Sequence, residues 1–461
     1  MLIFRHSAYM MHISRHIVLL SLLLSGCAAY EAMPLRPGPA SARPLADMVI
    51  DTRDLPFPML ARHPFIPSDG LDEIEVAILA VANNPDLKLA RNDAAIAQAQ
   101  AFSAGLLPDP QLVLSSDLSN TGGAGATRAF SFGLSYDVSA LVKSAAIGRA
   151  AQADIRKTNL TLLWQEWQVV SQARLLFVKL LYARKLMAVL SETRTLFADR
   201  VRRAKEARDR GLLTSDAVTP NLTALQDIEK QVFDFERLIS QSSHELNALL
   251  GLPPAATVSL QEGAAMEAFD EPAVVFAERD LRRRRPDLLA LEAGYESQDQ
   301  RYRAALLAQF PVINIGLTRA RDSSNVYSNG IGMTLSLPFL NRNRGNIAIE
   351  RATRQKLFDE YQQRLQVSHN DVARILDQHR LDVAQLRLVE GAVAELSATL
   401  ARSELAFRAN NIDLLLYVNA RAALLAKQVE QINLQQAVAE QRVALQTVLG
   451  VEPGNQSASG K

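Results

Sequence analysis

The residues that could do chemistry in this chain are few, and their spacing does not suit catalysis. Cys27 is the only thiol, which excludes both a disulfide framework and a thiolate zinc cluster. His369 and His379 lie ten residues apart in a helical stretch. That puts them about 280° apart around the axis, so they share no face that could hold a metal. No Walker A sequence, Gly-x-Ser-x-Gly elbow or His-Glu-x-x-His pair occurs. Gly122-Gly123-Ala124-Gly125 lacks the strand–helix context of a dinucleotide loop and reads as a flexible connection. Arg282-Arg283-Arg284-Arg285 reads as solvated surface ahead of a helix, and Trp164 and Trp167 read as helix packing. The chain is therefore expected to be no enzyme, with no cofactor and no metal.

The chemistry expected of Cys27 is a modification. Arg5 and Arg15 precede the apolar run Ile17–Leu24. Eight residues are too few to cross a bilayer, which needs about 20 in helical form. A basic stretch followed by a short apolar one is a secretory signal, here residues 1–26. Leu24-Ser25-Gly26-Cys27 resembles the lipobox of bacterial lipoproteins, which implies lipidation of Cys27 as the first mature residue. Ala28 follows rather than Asp, and the resemblance then implies sorting to the outer membrane. Acyl chains anchor a protein without spanning the bilayer. Residues 27–70 form a Pro-rich segment, from Pro34 to Pro67, whose proline spacing predicts no helix. With 50 Lys+Arg against 49 Asp+Glu, the charge balance argues against a nucleic-acid partner.

The elements that must position these residues occur twice. Asn84-Pro85-Asp86-Leu87 matches Arg285-Pro286-Asp287-Leu288 at an offset of 201. Leu107-Pro108 matches Phe310-Pro311, Arg208–Gly211 matches Arg408–Asn411, and Leu246–Gly251 matches Leu445–Gly450, all at nearly the same offset. Residues 72–251 and 274–450 are thus two copies of one unit, followed by a tail, 451–461. Each copy reads helix, strand pair, very long helix, helix. The long helices, about 141–210 and 343–409, contain no proline. Their apolar positions follow a heptad seam: Val169, Ala173, Leu176, Leu180, Ala183, Met187, Leu190, Phe197 and Val201, then Leu386, Val389, Val393, Leu396, Leu400 and Phe407. The shorter helices of a copy, laid end to end, match the long one in length and could pair antiparallel with it.

Between the helices the period changes to two. Phe130, Phe132, Leu134 and Tyr136 alternate with Ser131, Gly133 and Ser135. Ile331, Met333, Leu335 and Leu337 alternate with Gly332, Thr334 and Ser336. Their partner strands are expected at 111–117 and 312–318. One apolar, aromatic face against one small, polar face suits an outer-membrane β-barrel, although a strand pair on a soluble core alternates in the same way. The first set would face lipid and the second a lumen. Four strands cannot close alone, since the smallest membrane barrels have about eight. Two copies would give a filled barrel, and three would leave an open lumen.

In the order of these features the chain resembles the TolC-like outer membrane factor family, in particular its lipidated efflux members. The carrying residues are the lipobox, the duplication, Arg285-Pro286-Asp287, Ala308-Gln309-Phe310-Pro311 and Leu335-Ser336-Leu337-Pro338-Phe339. The resemblance implies a mainly α fold of long antiparallel coiled-coil helices forming a periplasmic α-barrel. Four strands per chain would contribute to a trimeric 12-stranded β-barrel. It also implies a passive exit duct of a tripartite efflux system, fed by a periplasmic adaptor and an inner-membrane pump of the resistance-nodulation-division type or similar. The duct would be anchored in the outer membrane and extend into the periplasm. It implies a periplasmic aperture near the turns after the long helices, with Asp216, Asp413, Asn410, Asn411 and Asn419 as candidates. Family members often carry two aspartates where Leu416 and Asn419 stand here, and Asp216 and Asp413 read first as helix N-caps. A non-conducting envelope-spanning lipoprotein and the duct of a type I secretion system are the alternatives. The substrate is unassigned, and the sparse mature histidines give no support for metal handling by the duct itself.

Overall fold

The computed structural model describes residues 30–35, 44–118, 127–261, 271–409 and 411–452. Cys27 and the signal, the glycine loop 122–125 and Asn410 lie outside them, as does the tail from 453 onward. The chain divides into two compact units, Met1–Ala42 and Arg43–Lys461. In the first, residues 30–35 are exposed and carry no regular structure.

The elements of the second unit are α1 (Pro58–Ala61), α2 (Glu73–Asn83), α3 (Pro85–Gly105), β1 (Gln111–Asp117), β2 (Ala129–Asp137), α4 (Ser139–Asp209) and α5 (Ser215–Leu249). The second half continues with α6 (Glu271–Arg279), α7 (Leu281–Arg284), α8 (Pro286–Leu307), β3 (Val312–Arg321), β4 (Tyr327–Ser336), α9 (Arg344–Arg408) and α10 (Leu414–Leu449). The same order of first helix, strand pair, long helix and last helix therefore occurs twice. α4 has 71 residues and would be about 105 Å long at 1.5 Å per residue. Among the described residues no helix is long and apolar enough to cross a membrane.

Local chemistry fixes the helix starts. Asp72 caps α2 by accepting from the amides of Ile74 and Glu75 at 2.8 and 2.7 Å, while Glu75 accepts from the Asp72 amide at 2.9 Å. Asn84 caps α3 through the Leu87 amide at 2.9 Å, with Pro85 in the first turn. α2 precedes the position where the sequence reading opens the first helix, and α6 with α7 precede α8 in the same way.

The two short helices of each half do meet end to end. After α5, Gly251 takes φ +62° and lets Leu252 donate back to the Asn247 carbonyl at 2.8 Å. Asn84 and Asn83 then donate to the last α5 carbonyls, Leu249 and Leu250, at 2.8 and 2.7 Å. After α10, Gly450 takes φ +63°, and the Arg285 side chain donates to the Val448 carbonyl at 3.2 Å. In both places a stacked helix start satisfies carbonyls that the helix end leaves free.

α4 is the centre of the packing, flanked by α2, α3, α5, α8 and α10, whereas α9 packs mainly on α8 and α10, with Val372, Ile375 and Leu376 also against Val274, Ala277 and Leu281 of α6 and α7. The main core gathers Val76, Leu79, Leu176, Leu180, Leu246 and Val443 from both halves. The Pro-rich segment departs from expectation. Pro58 occupies the first position of α1, where a missing N–H is harmless, and residues 45–47 and 52–54 form short 3₁₀ turns. Phe57 and Leu60 are buried, with Phe57 and Trp167 ring centroids 5.0 Å apart. Apolar side chains bind residues 44–70 into the main unit in spite of the prolines.

Candidate channel wall and aperture

The four strands form one antiparallel sheet in the order β1-β2-β3-β4. Register decides which side chains share a face, since directly opposed residues point the same way. Leu114 faces Phe132, Phe132 faces Arg319, Leu134 faces Leu317, Leu317 faces Ile331, and Ile315 faces Met333. Phe130, Phe132, Leu134, Tyr136, Ile331, Met333 and Leu335 thus fall on one continuous face across all four strands. Ser131, Gly133, Ser135, Gly332, Thr334 and Ser336 fall on the other, where the Ser115 and Ser131 hydroxyls lie 2.8 Å apart. Phe130, Phe132, Ile331 and Met333 are exposed, Ile331 by 83%. Leu337 is a correction: β4 ends at Ser336, because Pro338 cannot continue the ladder, and Leu337 lies exposed beyond it. β1 and β4 are edges, each with one unpaired row of backbone groups.

At the opposite end of the long helices are the two turns. Leu212 donates to the Ala207 carbonyl and Asn411 to the Ala406 carbonyl, both at 2.8 Å, so these turns correspond at an offset of 199. Asp413 caps α10 through the Leu416 amide at 2.8 Å. Asp216 is a correction to the cap reading: Thr214 holds the cap position, and Asp216 is exposed in the first turn of α5, where its charge suits the helix dipole. Asn411, Leu416 and Asn419 are exposed. Beside them is a group that sequence reasoning missed. Tyr417 is buried, its ring 5.4 Å from Phe407, with the Arg200 guanidinium 4.0 Å above it. It ties α4 of the first half to the second turn.

Two further polar groups hold the halves together. Arg174 is 2% exposed and donates to Glu73 and Gln446 at 2.8 Å each, while Arg442 reaches the other Glu73 oxygen at 2.7 Å. Burial pulls the Arg174 pKa down, against the charge of Glu73 beside it. Arg285 corrects the reading of its run as solvated: Arg282 and Arg283 are exposed, but Arg285 is buried. It forks onto Asp287 at 2.9 and 2.7 Å and lies 4.9 Å from the Trp164 ring. An arginine two residues before an aspartate at a helix start was the available signal for this pair.

The sequence model of the outer membrane efflux protein family matches residues 279–451. Those residues form an outer membrane efflux protein domain. They take in α8, β3, β4, α9 and α10, with Arg285, Asp287 and Gly450 at their junction. The cation efflux system protein CusC of Escherichia coli K12 is 26% identical over 226 residues, which is 46% of this chain and 48% of CusC. The match spans about half the length of that relative. Over the whole fold, the outer membrane channel CmeC of Campylobacter jejuni superposes with a TM-score of 0.72 at 17% identity, covering 89% of this chain and 94% of CmeC. VceC, an outer membrane protein of Vibrio cholerae, gives 0.70 at 18%, covering 82% and 96%. The chain therefore has the fold of the outer membrane efflux channels, with the efflux domain in its second half.

Proposed function

We propose that the protein is the outer-membrane exit duct of a tripartite efflux system. Three copies close their sheets into a 12-stranded barrel, with the apolar face toward lipid and the serine- and glycine-lined face toward a lumen. One observation carries this reading: an open four-stranded sheet with a continuous exposed apolar face and two unpaired edges. In hydrocarbon an unpaired edge cannot persist, so the sheet must close on further copies. The long helices continue the wall into the periplasm, and Asp216, Asn411 and Asn419 line its far end. An inner-membrane pump with its adaptor delivers the substrate and selects it, and the duct does no bond chemistry. Cys27 carries the lipid that tethers the mature N-terminus to the outer membrane.

Detergent-purified protein should have the mass of a trimer and conduct ions in a planar bilayer. A soluble, non-conducting monomer would overturn the reading. The anchor is tested separately by the mass of the N-terminal peptide, which should carry acyl chains that Cys27→Ser lacks.

A further inference from the structure

Three arginines gather at the loop end of the apolar sheet face. On β3 the apolar alternation Ile313, Ile315, Leu317 continues into Arg319 and Arg321, which register with Phe132 and Phe130. Arg128 precedes Phe130 by two residues. Arg321 lies over the Phe130 ring at 5.0 Å and donates to the Arg128 carbonyl at 2.7 Å, while its Nε is buried without a hydrogen-bond partner. Phe130 in turn meets Tyr327 edge-on, with centroids 6.3 Å apart.

Among the described residues no carboxylate stands on this face. Its registered positions are apolar or aromatic residues, Ser116, Asn329 and the two β3 arginines. Asp322 and Asp117, the described acids at this end of the sheet, stand off that face. Asp322 accepts from the Ser324 and Val326 amides at 2.8 and 2.9 Å, and Asp117 registers with Ala129 on the opposite face. Neither Arg128 nor Arg319 forms an ion pair among the described residues.

An arginine on a lipid-facing strand costs most at the bilayer mid-plane and little at the interface. Position therefore permits this cluster without explaining it, and an unneutralised group of guanidinia beside aromatic rings favours an anionic partner. The guanidinium fork takes two phosphate oxygens at once, and stacking on Phe130 holds one fork in place beforehand. Three cations, two on β3 and one just before β2, exceed what a single phosphodiester needs.

We propose that this end of the sheet binds the headgroup of an outer-leaflet glycolipid carrying two phosphates, with its acyl chains lying along Phe132, Leu317 and Ile331. The orientation rests on the duct reading, which places the loops outside and the helices inside. The test uses the full-length protein in nanodiscs containing diphosphoryl lipid A, the same lipid stripped of phosphate, or phosphatidylglycerol. Native mass spectrometry then counts the lipid retained. The wild type should retain the diphosphoryl form selectively. Arg128→Gln with Arg319→Gln should retain about tenfold less, as expected for loss of charge-assisted contacts. Arg351→Gln, on an exposed part of α9, should change nothing. Equal retention by the double variant, or equal retention of the stripped lipid or of phosphatidylglycerol, would overturn the proposal. If the double variant does not assemble, the melting temperatures of the wild type in the three lipids decide instead: a rise specific to the diphosphoryl form supports the site, and equal values sink it. Conductance of the same preparations tests the duct reading separately, because the variants should conduct like the wild type.

Discussion

The two long helices occupy corresponding places in the chain but sit in unlike surroundings. α4 is covered by five other helices, and Ala173, Leu176, Leu180, Ala183, Leu190, Phe197 and Val201 of its heptad seam are buried. α9 packs along two long helices, α8 and α10, and at one stretch against the short α6 and α7, and only Val389 and Leu400 of its seam are buried. It also carries a second row at heptad spacing, Val367, Leu381 and Leu388, which is exposed, Leu388 by 76%. One helix has its seam covered within the chain, and the other presents half of a seam. In the proposed ring a neighbouring copy supplies the other half, and both helices become inner parts of a continuous wall.

That contrast can be broken most severely at the exposed row. Leu381→Glu with Leu388→Glu should leave the helical content of the chain intact and abolish trimer formation and conductance, read by size-exclusion light scattering and bilayer recording. A trimer that survives both changes would assign the row to solvent. A large effect on folding is expected at Arg174 on α4. Arg174→Ala leaves Glu73 and Gln446 short of a donor in a buried site and should cost about 3–5 kcal/mol in denaturant unfolding. Arg408 on α9 is exposed and paired to Glu404, so Arg408→Ala should change stability by roughly 0.5 kcal/mol or less.

The glycine junctions give a finer comparison. A Cβ on Gly251 would lie 2.5 Å from the Asn83 carbonyl oxygen, and one on Gly450 would lie 2.9 Å from that of Arg284. Gly251→Ala should cost about 2–4 kcal/mol and Gly450→Ala somewhat less, as both also force a side chain into left-handed backbone. The smallest effect is expected at Glu452, which accepts from the Met59 amide at 2.8 Å. Burial pushes its carboxyl above the ordinary 4.5. A raised folded value means that its contribution is full below pH 4.5 and is lost as pH rises through that value. Glu452→Gln keeps an acceptor and removes the ionisation. Relative to the variant, the wild type should therefore weaken as pH rises above 4.5, by roughly a few tenths of a kcal/mol after allowance for solvent.

What could be read from sequence was whatever repeats at short period. The alternation of Phe130, Phe132 and Leu134 with Ser131, Gly133 and Ser135 located β2 and its two faces. The proline-free heptads located α4 and α9 nearly to the residue. What could not be read depended on contacts distant in sequence. Arg285 belongs to a run that looks solvated until the end of α10 folds over it. Arg200 acquires meaning only beside Tyr417, more than 200 residues later. The Pro-rich segment misled for a related reason: proline forbids helix interiors, but it neither forbids a first turn at Pro58 nor keeps Phe57 out of a core.

The order of the sheet carries one more consequence. β1 and β4 are its two margins, and with every neighbour antiparallel they run in opposite directions. When the last strand of one copy meets the first strand of the next, the new ladder is antiparallel like all the others. A ring built this way has no seam of different hydrogen-bond geometry. The joints between copies are chemically the same as the joints within them, so the wall has no built-in line of weakness along which to tear.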